Sequence, residues 1–279
     1  MQNYLPEDLE FAKSLLSKLI YSNKKVSSLS SPLGIILGGQ PASGKTALIR
    51  LILQEIHPDE DFIIINGDEF RSYHPDYLNF MQNFDRNAQD YTQSFSNSLV
   101  DYFLKSTVEQ QRYNVIVEGT MRNYGTVEKT AALFFKNGYT VEAHILAVPE
   151  MDSLLGIFSR YEEEKRLSGF GRFSSPKIHE EAFKNLPANV QKLSDSVFMD
   201  RISIYTRSVN EEIRVVESSE LMDEINWEDT INKCREYASY QEYLTQWQKI
   251  ENHALERNET DEEYLNEIAV HLAYLKTTF

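Results

Sequence analysis

Short apolar runs alternate with longer amphipathic stretches along most of this chain. Ile35-Ile36-Leu37, Asp61 to Asn66, Tyr113 to Val117 and Thr140 to Val148 each read as a strand, because short, mainly apolar runs suit a sheet covered on both faces. Between them, apolar residues fall at helical spacing. Pro6 to Leu19 carries Leu9, Ala12, Leu15, Leu16 and Leu19 on one face, with Pro6 suited to a first turn. Further helices are predicted over 87–111, 126–137 and 151–166, and from about Pro176 onward. A strand from Val197 to Thr206 and a short one from Glu212 to Val216 close the pattern. Residues 220–279 contain neither glycine nor proline and read as two or three helices. Their packing residues are expected to be Trp227, Tyr237, Tyr240, Tyr243, Leu244 and Trp247.

Strands separated by helices imply right-handed crossovers and a mostly parallel sheet in a three-layer α/β/α arrangement. Ligands of such sheets bind beyond the carboxyl ends of the strands, so the residues at those ends carry the functional question. After the first strand, Gly39-Gln40-Pro41-Ala42-Ser43-Gly44-Lys45-Thr46 fits G-x-x-x-x-G-K-[ST]. In that pattern the backbone amides curl around phosphate oxygens, Lys45 reaches the β- and γ-phosphates and the Thr46 hydroxyl meets Mg²⁺. A helix continuing through Leu53 directs its N-terminus at the phosphates. The ligand expected is ATP with Mg²⁺.

Phosphoryl transfer needs in-line positioning, charge neutralisation and a base for the acceptor hydroxyl. Asp68, at the tip of the second strand, is the candidate base; its plain alternative is a helix N-cap. Glu118 ends the third strand where a carboxylate orders Mg²⁺ or holds a substrate hydroxyl, and Arg122 can clamp a second anionic group. The segment Arg160 to Arg172 runs off a helix into Gly169 and Gly171 and reads as a lid over about 162–175. Arg160 and Arg172 are its candidate phosphate-facing arginines. Arg166 competes with them, and an i,i+4 pair with Glu162 on a solvated helix is the bland reading.

Composition narrows the rest. A net charge of −15 argues against nucleic acid as a partner, and from Glu217 onward 15 acidic residues face 5 basic ones. The first 216 residues therefore carry only −5, which leaves room for a basic phosphate site. No apolar stretch approaches a membrane span and no signal-peptide pattern opens the chain, so the expected location is cytoplasmic. Cys234 is the single cysteine, which excludes a disulfide framework and a multi-cysteine metal site. The histidines at 57, 74, 144, 179, 253 and 271 show no pair at metal-ligand spacing.

Taken together, LGGQPASGKT at 37–46, INGDEFRSYHPDY at 65–77, YNVIVEGTMR at 113–122, AVPEMDSLLGIFSRYEEE at 147–164, GRFSSPKIHEEAFKNLPANV at 171–190 and IYTR at 204–207 resemble the zeta toxin family of bacterial P-loop kinases. The resemblance runs from the N-terminal helix to about Arg207. It implies a P-loop kinase core over 1–216 and leaves 217–279 as an acidic helical extension. It also implies ATP-dependent phosphorylation of the amino-sugar 3′-hydroxyl of UDP-N-acetylglucosamine, which withdraws a peptidoglycan precursor, and an antitoxin partner that obstructs the nucleotide cleft. By motif, Lys45 and Thr46 serve ATP and Mg²⁺, Asp68 is the base, and Glu118, Thr120 and Arg122 fall on the substrate side. Arg160 and Arg172 fall on phosphate-clamping positions. Tyr73 to Pro75 and His179 match without a role that the residues themselves suggest.

Ala42 replaces a glycine common in the family, a change that is tolerable if the residue keeps a negative φ. The spacing from Arg172 to Pro176 is one residue longer than the family pattern, and Asp101 is the candidate for a sugar-contacting carboxylate. Two alternatives stand beside the leading reading: the same kinase with another UDP-sugar, small hydroxyl compound or protein as acceptor, and a nucleotide-dependent regulatory module without chemistry. The extension either completes the hydrophobic core or folds over the body to restrain it.

Overall fold

Every residue of β1 (Leu33–Gly38) is buried, which places this strand in the interior of a sheet and not at its edge. In the computed structural model, which describes residues 3–207, 212–220, 225–236 and 240–278, β1 lies between β3 (Asn114–Glu118) and β4 (Thr140–Leu146). With β2 (Phe62–Asn66), β5 (Arg201–Thr206) and β6 (Arg214–Glu220) the sheet has the order β2-β3-β1-β4-β5-β6. The first five strands are mutually parallel and β6 runs antiparallel along β5. Register matters most at the carboxyl edge. Leu37 of β1 and Asn66 of β2 both stand opposite Glu118 of β3, so the segments that follow these three strands emerge side by side.

Alternation of side chains divides the core between the two sheet faces. On one face Ile63, Ile65, Val115, Val141, Ala143, Ile145, Ile202 and Ile204 pack with buried residues of α1 (Pro6–Ile20), α5 (Ala88–Val108), α6 (Tyr124–Lys136), α8 (Pro176–Ser194) and α9 (Trp227–Cys234). On the other, Ile35, Leu37, Ile116, Leu146 and Tyr205 pack under α2 (Lys45–Leu51) and the π-helical turn Ile52–Ile56 that prolongs it. Two short helices, α3 (Gly67–Phe70) and α4 (Tyr77–Phe84), fill the path from β2 to α5.

A second apolar cluster forms away from the sheet. There α7 (Glu150–Ser168) presents Leu155, Phe158 and Tyr161 to α10 (Tyr240–Glu256) and α11 (Glu262–Thr278), which contribute Tyr243, Trp247, Ile250, Tyr264, Ile268 and Leu272. Phe158 stacks on Tyr264 at 5.4 Å and meets Trp247 at 4.9 Å between ring centroids. The boundary expected at residue 216 does not coincide with a structural break, because β6 continues in the sheet to Glu220 and α9 packs into the main core beside α8. Trp227, Tyr243 and Trp247 are buried and Leu244 is partly so, whereas Tyr237 and the Tyr240 side chain lie outside the described residues.

Two strand boundaries differ from the sequence reading. β5 starts at Arg201, not Val197, because Asp200 accepts the Val141 amide at 2.8 Å and leaves Val197 exposed. The last strand sits two residues further on than expected and continues to Glu220. Among the described residues no helix is long and apolar enough to cross a membrane.

Deleting residues 237–279 removes the cover of α7. The shortened chain is expected to aggregate and to bind a hydrophobic dye strongly, measured by size-exclusion chromatography and dye fluorescence. A soluble, monodisperse product would show instead that the extension is dispensable to the core.

Candidate phosphate-binding and catalytic site

The loop between β1 and α2 owes its shape to two backbone constraints. Gly44 takes φ +106° and a Cβ there would stand 2.6 Å from Nε of Arg207, so both conformation and space require glycine. Ala42 corrects the sequence reading: its φ is +58°, in the left-handed region. Its Cβ lies over Gly156, where any side chain on α7 would meet it at 3.1 Å, so the loop and α7 approach each other through two small residues. Lys45 is buried, and its Nζ donates to the carbonyl oxygens of Gly39 at 3.0 Å and Gln40 at 3.1 Å. Burial lowers its pKa against the opposing pull of Glu118 and Asp68. Ser43 Oγ is buried without a hydrogen-bond partner among the described residues, a polar atom facing into the loop's own fold.

The loop is held from behind by residues whose roles the sequence did not reveal. Gln40 Nε2 donates to Val148 O at 2.8 Å and reaches Ser153 Oγ at 3.4 Å; Ser153 Oγ in turn lies 2.7 Å from His179 Nε2. Burial, with help from Arg235 and His271, pulls His179 down to about 4, so this histidine is a neutral prop and not a titrating group at physiological pH. Arg207 Nε donates to Ser43 O at 2.6 Å, from 164 residues away in sequence. No local pattern signals such a contact. The motif match at Arg207 was the sole hint.

Asp68 sits in the first turn of α3, and its backbone amide is capped by Asn66 Oδ1 at 2.9 Å. Asn66 thus takes the capping role that was the plain alternative for Asp68. The Asp68 carboxylate remains half-exposed, accepting Arg71 Nε at 3.1 Å. Burial pushes this carboxyl up, but Arg71, Arg160 and Lys45 outweigh it and hold the group below the ordinary aspartate range. Arg71 is itself fixed: it donates to Gln89 O, Thr92 Oγ1 and Gln93 Oε1 on α5 at 2.8, 3.1 and 2.6 Å. An Asn-Gly-Asp run closing a strand is an N-cap signature that the sequence reading passed over.

Glu118 brackets the loop from the other side. Its carboxylate accepts Asn66 Nδ2 at 2.8 Å and lies 3.9 Å from Lys45 Nζ. Burial raises its pKa, Lys45 opposes, and Asp68 and Glu69 add to the rise. Arg160 is lowered by burial and by its neighbour Arg172, while Asp68, Glu164 and Glu118 support its charge. Its Nε is buried and lacks a hydrogen-bond partner among the described residues. Two guanidinium groups and a buried ammonium thus share a small space with the carboxylates of Asp68, Glu118 and Glu164, and Arg160 Nε is left as a donor for a ligand oxygen. An anion with several oxygens suits that field.

Of the segment 162–175, expected as a lid, the first half is helix. α7 runs unbroken to Ser168, and Gly169 at φ +84° ends it. Glu162 does not pair with Arg166; it is buried and receives Arg257 Nη2 at 2.8 Å and Tyr264 Oη at 2.6 Å. The non-helical part begins at Gly169. There Arg172 is held by Glu164 through its backbone amide at 2.8 Å and its Nη2 at 2.6 Å, and Phe173 is buried against Phe158.

An open cavity of about 440 Å³ adjoins this cluster, lined by Asp68 and Arg172 together with Leu16, Ile20, Tyr73 and Tyr77. Tyr73 thus gains a place as a cavity wall, while His74 is a buried ring packed between Tyr4, Phe80 and Phe95. Neither Glu118, Thr120 nor Arg122 lines this cavity. The loop holding the last two is anchored to α8, with Met121 O accepting Asn189 Nδ2 at 2.7 Å and Arg122 lying 3.6 Å from the Glu181 carboxylate. Asp101 also stays apart: α5 turns it to solvent, outside the cavity lining, because the helix spends its inward face on Phe95, Leu99 and Phe103.

A glycine-bounded loop at the carboxyl edge of a parallel sheet, with a buried lysine and a strand-end carboxylate beside it, defines a P-loop nucleotide-binding α/β protein. The chain belongs to the Zeta toxin family, whose sequence profile it matches over residues 18–219. It is 34% identical over 201 residues to Toxin PezT of Streptococcus pneumoniae, covering 72% of this chain and 78% of that protein. It is 31% identical over 193 residues to Toxin zeta of Streptococcus pyogenes, covering 69% of this chain and 65% of that toxin. A solved structure described as the PezAT chromosomal toxin-antitoxin system of Streptococcus pneumoniae superimposes with a TM-score of 0.72 at 27% identity, over 93% of this chain and 99% of that one. The AvrRxo1-ORF1:-ORF2 complex with ATP shares the fold at a TM-score of 0.53 and 16% identity, over 96% of this chain and 83% of that one.

The left-handed alanine predicts that Ala42→Gly raises stability by about 1 kcal/mol, seen as a melting temperature higher by about 2–4 °C. A lower melting temperature would place the value of Ala42 in its packing on Gly156.

Proposed function

We propose that this protein transfers the γ-phosphoryl group of ATP to the amino-sugar 3′-hydroxyl of UDP-N-acetylglucosamine, and so acts as a zeta-type toxin against peptidoglycan synthesis. The observation that carries the reading is Asp68: relieved of capping by Asn66, half-exposed on the cavity and held ionised beside Lys45 and Arg160. A carboxylate so placed can accept the proton of an acceptor hydroxyl as the oxygen attacks phosphorus. Lys45 leaves the Gly39 and Gln40 carbonyls to meet the β- and γ-phosphate oxygens, an exchange that gives a buried ammonium charged partners in place of dipoles.

Arg160 and Arg172 offset the charge of the migrating group. Arg172 must then exchange Glu164 for phosphate, so Glu164 stores it in a position from which it can be released. Thr46 and Glu118 would hold Mg²⁺, since a hydroxyl and a carboxylate are the hard oxygen donors this ion takes, and bound there it would neutralise phosphate charge. The raised pKa of Glu118 fits this: a divalent cation would favour its ionised form. Tyr73 and Tyr77 give the cavity aromatic walls suited to a ring-bearing acceptor. Likeness to the PezAT toxin-antitoxin structure supports an antitoxin protein as partner.

Purified protein with ATP, Mg²⁺ and UDP-N-acetylglucosamine is expected to give a new sugar-phosphate resonance in ³¹P spectra. Asp68→Asn should lower kcat by about 10²- to 10⁴-fold with ATP affinity retained. Turnover of a different acceptor in a panel would move the substrate assignment, and undiminished turnover in Asp68→Asn would remove the base. Because Arg71 depresses the Asp68 pKa, the acid limb of the kcat/KM profile should lie below the ordinary aspartate range. It should move to higher pH in Arg71→Gln, since losing the cation favours the protonated carboxyl.

A further inference from the structure

His57, far away in sequence, meets Glu142 and His144 on the face of the sheet covered by α2. His57 closes the π-helical turn after α2, and Glu142 and His144 are alternate residues of β4, pointing to the same side. The sequence reading found no histidine pair at metal-ligand spacing; the fold corrects that by joining two histidines 87 positions apart, as their numbers 57 and 144 give. We propose that these three side chains bind one divalent transition-metal ion, zinc by preference, at a site separate from the nucleotide loop.

The distances carry the proposal. Glu142 Oε2 lies 3.0 Å from His144 Nε2 and 3.3 Å from His57 Nε2, and all three donor atoms fall within 4.8 Å of one another. A tetrahedral zinc with bonds of about 2.0–2.1 Å sets its ligands about 3.3 Å apart. The two edges to Glu142 therefore already lie close to the required length, and the edge between the imidazoles is no longer than 4.8 Å. The donor set also selects the ion. Two imidazoles and one carboxylate suit zinc over magnesium or calcium, and three protein ligands leave a fourth position for water.

The surroundings supply what a metal ligand needs behind it. His144 Nδ1 lies 2.8 Å from Tyr205 Oη, and the two rings stack at 5.6 Å. A hydrogen bond at Nδ1 fixes the ring and directs the Nε2 lone pair toward Glu142, the second-shell arrangement typical of zinc-bound histidine. Glu142 and His144 are buried, while the His57 side chain is 18% exposed and gives an ion its way in. The consequence is mechanical. An ion here ties the end of the phosphate-loop helix to β4, the strand next to β1.

The competing account is a purely hydrogen-bonded array in which both imidazoles donate to Glu142. Titrating Zn²⁺ into the metal-stripped full-length protein separates the two. Saturable binding of one equivalent is expected, with a raised melting temperature, and Co²⁺ in its place should give visible absorption bands of a four-coordinate ion. His57→Asn, at the partly exposed position, should abolish the bands and the thermal shift while far-UV circular dichroism and ATP-dependent turnover stay unchanged. Tyr205→Phe should weaken Zn²⁺ binding about 10- to 100-fold. Absence of one-to-one binding in the parent, or binding retained in His57→Asn, would overturn the site and leave the hydrogen-bonded array.

Discussion

A lysine ammonium taken out of water must find oxygen atoms, and the arrangement around Lys45 follows from that requirement. In this structure its partners are two loop carbonyls at 3.0 and 3.1 Å and, more distantly, the Glu118 carboxylate. The loop offers those carbonyls in a backbone path with positive φ at Gly39, Ala42 and Gly44. Glu118 can approach only because β3 ends level with β1. The same register places Asn66 opposite Glu118, and Asn66 then donates to Glu118 and caps Asp68 at once. One side chain thereby couples the carboxylate beside the lysine to the orientation of the proposed base.

The arginines depend on a different part of the molecule. Arg160 lies on α7, and α7 is held on its apolar side by the α10–α11 hairpin through Phe158, Tyr161, Trp247 and Tyr264. Buried Glu162, two residues on from Arg160, is neutralised by Arg257 from the hairpin. Breaking such a pair from one side leaves a charge without compensation, which makes the hairpin part of what positions α7. The acidic character of the C-terminal region does not prevent this, because the residues it buries are mainly aromatic and aliphatic. Arg86 extends the tie, reaching Asp261 at 2.7 Å and lying over the Phe173 and Tyr264 rings.

Much of this was legible in the chain. The phosphate loop, the strand-end positions of Asp68 and Glu118 and the helices around them are local patterns, since apolar period and glycine spacing act within a few residues. Asp101 lies outside the cavity for the complementary reason: being near the site in sequence order does not say which way a helix turns a residue. The pairing of Glu162 was likewise hidden, because an i,i+4 partner on its own helix competes with a distant arginine that only packing brings near. Arg207 and His179 matched motifs without roles, and their roles proved to be support of the phosphate loop from behind.

The sequence by itself determined the class of sheet, the phosphate loop and the residue types at the strand ends, because each is set by periodicity or by the conformational freedom of one or two residues. Tertiary structure alone decided the φ of Ala42, the burial of Glu162 and the approach of His57 to Glu142 and His144. Each of these depends on which distant side chain fills the adjacent space. Strand register and helix docking fix that, and no short window of sequence contains both partners.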